Sequence, residues 1–203
     1  MRTVPVPEKA ILFYLIFHYK HPLVQFLIYC RENMTLIIFF MFIVWFLGSI
    51  VIWTLINGIS PMPTSSKALL KIQEILPDVN GPIYELGSGW GTLARMLSRK
   101  YTHQQVIGYE TSFFPYWISR LFCSQNNVTL ERKNFFKVDL SKATLIVCYL
   151  YPGAMRQLKE KFTKELKPGT HIISNTFGIP GWIPKQVCEV DDIYKTKIYR
   201  YEI

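Results

Sequence analysis

Acid is scarce in this sequence. Its 203 residues carry 14 Asp and Glu against 23 Lys and Arg, a formal charge of +9 at pH 7. A basic surface suits phosphate-bearing partners, either anionic lipid or nucleic acid. No Lys/Arg cluster is dense enough to follow a nucleic-acid backbone, so no nucleic-acid partner is expected and membrane lipid is. Cysteine is sparse too: Cys30, Cys123, Cys148 and Cys188 stand far apart with no CxxC pair. That excludes a zinc ribbon and a stapled secreted domain, and implies reduced, packed thiols. The four histidines split between His18 and His21 near the start and His103 and His171 far beyond, so no metal site is expected. There is no internal repeat and no low-complexity tract.

Charge is absent altogether from Thr35 to Ile56, "TLIIFFMFIVWFLGSIVIWTLI". At ~1.5 Å per residue such a helix crosses a hydrocarbon core of about 30 Å. The segment before it, about 10–30, is broken: "ILFYLIF" gives way to "HYKHP" and then to "LVQFLIYC". Lys20 and Pro22 within a span are costly in lipid, so an interfacial helix is favoured there over a second membrane segment. No small-x-small cleavage site follows the apolar run, which argues against a removed signal peptide. Lys20 and Arg31 on one side and Lys67 and Lys71 on the other leave no charge asymmetry to fix orientation. "NGISPMPTSS", Asn57 to Ser66, reads as a linker. The expected division is a membrane anchor over 1–60 and a globular domain over 61–203.

The globular part alternates. Strands are expected at "PIYEL", "QQVIGYE", "VTLERK", "ATLIVCYL" and "GTHIISNTF", separated by helices at "WGTLARMLSRKY", "PYWISRLFCSQN" (begun by Pro115) and "GAMRQLKEKFTKEL". Ser65 or Ser66 caps an earlier helix with apolar Leu69, Leu70, Ile72, Ile75 and Leu76, stopped by Pro77. Two more strands close the chain, "QVCEV" and "IYKTKIYRYEI". The pattern predicts an α/β fold: a Rossmann-like, doubly wound, mostly parallel sheet with a C-terminal antiparallel hairpin, preceded by the transmembrane helix. Such sheets bind ligands beyond the carboxyl ends of the strands, where strand order reverses.

"YELGSGWG", Tyr84 to Gly91, lies at the end of the first strand. It is not a Walker A loop, because Thr92 and Leu93, not Lys, follow the last glycine. It is not a dinucleotide fingerprint either, because Thr92 stands where the third small residue belongs. Glu85 opposes a pyrophosphate and suits a cofactor with a positive end; S-adenosylmethionine carries a sulfonium and an ammonium. Gly87 and Gly89 allow close backbone approach. Glu110 ends the second strand, where a carboxylate accepts from both ribose hydroxyls. After the fourth strand come Tyr149, Leu150, Tyr151 and Pro152. Enzymes that methylate nucleobase amines carry Asp or Asn before a Pro-Pro-aromatic run, and this chain has no acid or amide there. Tyrosine rings can wall an aliphatic lysine stem and meet its cationic head.

The glycine loop followed by "GYE" resembles the motifs of class I, seven-strand methyltransferases. "PTSSKALLKI", "ERKNFFKVDL" and "GAMRQLKEKFTKELKPGTHIISNTFGIPGW" resemble the membrane-anchored protein-lysine methyltransferases that modify the ATP synthase c subunit and the ADP/ATP carrier. The stretch "QLKEKF…LKPGTHIIS" is also similar to Dot1-type histone lysine methyltransferases. The resemblance runs from about Pro61 to Trp182. It implies S-adenosylmethionine as cofactor, held by Glu85, Gly87, Ser88, Gly89 and Gly91, with Glu110 on the ribose and Asn134 and Phe135 around adenine. Asn134 departs from the usual Asp, and Trp90 from the usual small or acidic residue. Thr64 sits in a segment that folds over the cofactor in this family. Tyr149 and Tyr151 would face the acceptor, a lysine of a protein substrate, including membrane-embedded ones. Methylation of a lipid or quinone, or a non-catalytic cofactor-binding module, is the alternative. The domain would face the cytosol, or the mitochondrial matrix in a eukaryote, where the cofactor is available.

Overall fold

The computed structural model describes residues 22–57 and 63–203. The expectations for "ILFYLIF", His18, Lys20, His21 and most of the linker fall outside the described residues. The chain forms two compact units, Met1–Ile52 and Trp53–Ile203.

In the first unit, helix α1 (Pro22–Glu32) meets helix α2 (Met34–Asn57) through a single residue, Asn33. Pro22 opens α1, so it interrupts no helical hydrogen bond. Asn33 Nδ2 donates to the Tyr29 carbonyl at 2.9 Å and keeps the junction nearly helical. The stretch Met34–Ile52 is long and apolar enough to cross a membrane, and none of it is buried by protein.

The second unit is a seven-stranded sheet. Its elements run α3 (Ser66–Ile75), β1 (Ile83–Leu86), α4 (Thr92–Lys100), β2 (Val106–Tyr109), α5 (Phe113–Phe122), β3 (Val128–Glu131), a 3-10 turn (Phe135–Lys137), β4 (Leu145–Cys148), α6 (Pro152–Glu165), β5 (His171–Asn175), β6 (Gln186–Glu189) and β7 (Lys197–Glu202). Spatial order is β3-β2-β1-β4-β5-β7-β6. Strands β1 to β5 pair in parallel, and β7 runs antiparallel to both β5 and β6. The expected doubly wound sheet with its terminal hairpin is therefore present.

Burial on both faces explains why β4 reads as an unbroken apolar run and why β1 is broken only by Glu85. Leu145, Val147, Ile83 and Ile173 face one layer, with α3 and α4 supplying Ile72, Ile75, Leu93 and Leu97. Ile146, Cys148, Leu86 and Ile172 face the other, with α6 supplying Met155, Leu158 and Phe162. A strand covered on both faces needs apolar residues at every position. Burial pushes the Cys148 thiol up to about 12, so it stays protonated and inert at neutral pH.

Two helix expectations shift. Helix α3 is capped by Ser65, whose Oγ accepts from Ala68 N–H at 3.2 Å. It buries Ala68, while Leu70 faces solvent. Helix α5 starts at Phe113 rather than Pro115, with Ser112 at its N-cap. Pro115 lies within the first turn, where an N–H has no intrahelical partner to lose.

Candidate active site

The chain leaves β1 for β2 on one side and later returns to β4 on the other. Strand order reverses between β1 and β4, and the glycine loop and Tyr149 follow the carboxyl ends of these two strands. This is the crevice position for a ligand in an open α/β sheet.

The loop is tied down at each glycine. Gly87, Gly89 and Gly91 have φ of 78°, 51° and 76°, a region that side chains rarely adopt. Gly87 and Ser88 N–H groups both donate to the Tyr109 carbonyl, at 2.9 and 3.0 Å. A Cβ on Gly87 would meet Leu150 Cδ2 at 2.8 Å, and one on Gly91 would meet Cys123 Sγ at 2.6 Å and Ser119 Cβ at 3.0 Å. A Cβ on Gly89 would meet nothing within 4 Å. Gly87 and Gly91 are thus glycine for packing, and Gly89 alone opens onto free space. Trp90 is half-buried in the turn between Gly89 and Gly91.

Glu110 fixes the middle of the loop. Its Oε2 accepts from Gly89 N–H at 2.8 Å and its Oε1 from Ser112 N–H at 2.7 Å. Each oxygen retains a second lone pair. Glu85 lies fully buried on the Ile83 face of β1 and accepts from the Ala94 backbone N–H in the first turn of α4. Its Oε2 has no partner, and neither has the buried Ser88 Oγ. Burial, reinforced by the like charge of Glu110, holds the Glu85 carboxyl well above its usual range. A cationic group nearby would reverse that shift.

The remaining expected residues divide. Phe135 is buried beside Leu86, Tyr109 and Leu150, with its ring 4.5 Å from Phe136. Asn134 is exposed at the start of the 3-10 turn, and its Oδ1 accepts from Phe136 N–H at 2.9 Å. Thr64 is buried one residue before the α3 cap. Tyr149 packs against the α3–α4 layer and Tyr151, the α6 N-cap, against the opposite one. They flank the end of β4 from two sides.

Sequence reasoning missed Ser112, Ser119 and Gly108, the last of which would place a Cβ 3.1 Å from Ser88 Cβ. It also missed Asn175 and Thr176 at the end of β5. Thr176 has φ of 71°, strained for a β-branched residue, and its N–H donates to the Lys197 carbonyl at 2.8 Å. The Asn-Thr-Phe-Gly run was the available signal. Among the described residues no group of three His, Cys, Asp or Glu could hold a metal ion.

The 3-2-1-4-5-7-6 sheet, the glycine loop at its switch point and the carboxylate after β2 define a class I, S-adenosylmethionine-dependent methyltransferase. The residues present fit that cofactor: open space above Gly89, free lone pairs on Glu110 and an orphaned buried carboxylate oxygen on Glu85. Comparison with known proteins narrows the class. The ANTKMT methyltransferase domain matches residues 85–186, and the chain belongs to that family. It is 32% identical over 136 residues to a protein-lysine N-methyltransferase of Saccharolobus islandicus, covering 64% of this chain and 84% of that protein. It is 29% identical over 128 residues to the Mus musculus lysine N-methyltransferase of the ATP synthase c subunit, covering 61% of this chain and 51% of the other, about half its length. An RNA methyltransferase of Salinibacter ruber, solved with S-adenosyl-L-homocysteine, superposes with a TM-score of 0.63 at 25% identity, over 70% of this chain and 94% of that one.

The glycines should separate in two assays. Gly89→Ala places a methyl in open space and should cost about 1–2 kcal/mol of stability through its positive φ alone, yet weaken S-adenosylhomocysteine binding. Gly91→Ala should lose more stability because α5 must shift. Denaturant midpoints and a binding titration check both; equal stability losses would contradict the packing assignment.

Glu85 should leave a pH signature. An acid whose pKa is raised by folding binds its proton more tightly in the folded state. Its stabilising contribution is full below the unfolded value near 4.5 and is lost as pH climbs through the folded value. Glu85→Gln should therefore gain in thermal midpoint relative to wild type as pH rises from about 4.5 through the folded value. A constant difference across pH would show that Glu85 is not buried as described.

Proposed function

We propose that this chain transfers a methyl group from S-adenosylmethionine to the side-chain nitrogen of a lysine in a protein substrate, at a membrane to which its N-terminal helix anchors it. The observation that carries the reading is the rim after β4. Tyr149, Leu150, Tyr151 and Pro152 supply aromatic walls but no acid or amide of the kind that grips a nucleobase amine. The lysine specificity of the Saccharolobus islandicus and Mus musculus relatives supports the same reading.

When bound, the cofactor supplies an electrophilic methyl on a sulfonium. The chain's own groups do the rest. Gly87, Ser88, Gly89 and Gly91 give the backbone surface for the methionine end and sugar. Glu110 accepts from the ribose hydroxyls with the lone pairs left by Gly89 and Ser112. Glu85 supports the loop from beneath and offers negative charge to the cationic end. Phe135 gives an apolar wall for adenine and Asn134 an amide beside it. Thr64 closes the site from the start of α3. Tyr149 and Tyr151 align the acceptor and desolvate it, which favours the neutral amine needed for displacement.

Anchoring through Met34–Ile52 would raise the effective concentration of the domain near membrane-embedded substrates such as the ATP synthase component modified by the mouse relative. The catalytic domain would then face the cytosol or the mitochondrial matrix, where the cofactor is present.

Labelling tests the reading. Membranes from cells with and without the chain are incubated with radiolabelled S-adenosylmethionine, with excess S-adenosylhomocysteine as the control. The expected result is a protein band that depends on the chain and releases methyl-lysine on hydrolysis. Chain-dependent label confined to the lipid fraction would contradict lysine as acceptor.

A further inference from the structure

Helix α5 is built inside out. It buries its small residues, Pro115 and Ser119, and exposes its large apolar ones. Phe113, Trp117, Leu121 and Phe122 are 42%, 48%, 79% and 58% exposed. Phe113, Trp117 and Leu121 recur every fourth residue and form one stripe. The cause is the glycine loop: Gly91 sits so close to Ser119 and Cys123 that no larger inward side chain would fit. Packing explains the small inward face but leaves the outward one without a structural purpose.

Cations decorate the stripe. The Arg120 guanidinium lies 5.6 Å from the Trp117 ring centroid and the Arg132 guanidinium 5.4 Å from that of Phe113. Neither arginine forms an ion pair among the described residues. The nearest acid in sequence, Glu131, is engaged by Lys133 at 2.8 Å. The β6–β7 turn also exposes Ile193 and Tyr194, but Asp191 and Asp192 share that turn, beside Glu189 at the end of β6, and would repel an anionic surface.

We propose that the exposed face of α5 docks the catalytic domain onto an anionic phospholipid bilayer, with Phe113, Trp117, Leu121 and Phe122 between headgroups and Arg120 and Arg132 on lipid phosphates. An aromatic and aliphatic face rimmed by arginine is the composition of helices that lie in a membrane interface. Leu121, the most exposed of the four, has no ring face for a nucleobase to stack on, so lipid fits the stripe better than single-stranded RNA does. The same chain carries an uncharged helix long enough to span a membrane. The inference rests on the membrane setting proposed above and adds a second, anchor-independent contact. Because α5 leaves the sheet three residues after Glu110, docking brings the site end of the domain to the bilayer.

Photo-crosslinking tests it on the full chain. p-Benzoylphenylalanine is placed at Leu121, or at the exposed Lys167 before β5 at the opposite end of the sheet. Each variant is reconstituted in phosphatidylcholine vesicles with and without phosphatidylglycerol, with an RNA oligonucleotide present. The expected result is a lipid adduct at Leu121, absent at Lys167, that increases with phosphatidylglycerol and falls about fivefold with either Arg120→Gln or Arg132→Gln. Equal yields at the two positions, no dependence on anionic lipid, or an adduct to the RNA would overturn it. The crosslink needs neither cofactor nor acceptor, so a failure of lysine methylation leaves it unchanged, and flotation with the vesicles reads the anchor separately.

Discussion

The Glu110 carboxylate grips two backbone amides that belong to different elements. One is Gly89, at the open point of the loop after β1; the other is Ser112, at the cap of α5 after β2. Hydrogen bonds to an ionised acceptor contribute about 1.5–3 kcal/mol each. Together they fix the loop in a conformation with positive φ at Gly89, set the start of α5 and seat Ser119 against Gly91. The crevice and the outward face of α5 both follow from that one side chain. Glu85 reinforces the arrangement from below by accepting from Ala94 N–H, so two carboxylates flank a loop that carries no cation of its own.

This arrangement bears on ligand choice. Burial first, and the nearby Glu110 charge second, raise the local cost of negative charge and hold Glu85 toward its neutral form. A pyrophosphate would add to that cost and a cationic cofactor would relieve it. The switch-point geometry is common to many α/β proteins; the sign of the charge beneath the loop separates a methyl-donor site from a dinucleotide site.

Much of this was legible before the fold was known, for identifiable reasons. Strands buried on both faces show as apolar runs, so β4 could be read directly, and β1 and β5 from their Ile and Leu cores. Glycines with positive φ and strand-end acids show as motif, so Gly87, Gly89, Gly91, Glu85 and Glu110 could be picked out. What stayed hidden depends on contacts distant in sequence. Leu150 matters because it touches Gly87, and Ser119 because it touches Gly91. Local pattern does not encode either. Pro115 misplaced the start of α5 because proline is tolerated throughout a first turn, not only at its opening residue. The outward turn of the large apolar residues of α5 follows from the loop's closeness to Ser119, which is a contact distant in sequence too.

The direct test of the account is the affinity of S-adenosylhomocysteine for the wild-type chain and for Glu110→Ala, measured by calorimetric titration. The account predicts binding by wild type and a loss of about tenfold or more in the variant, because both loop anchoring and the ribose acceptor disappear together. Unchanged affinity in Glu110→Ala would contradict it.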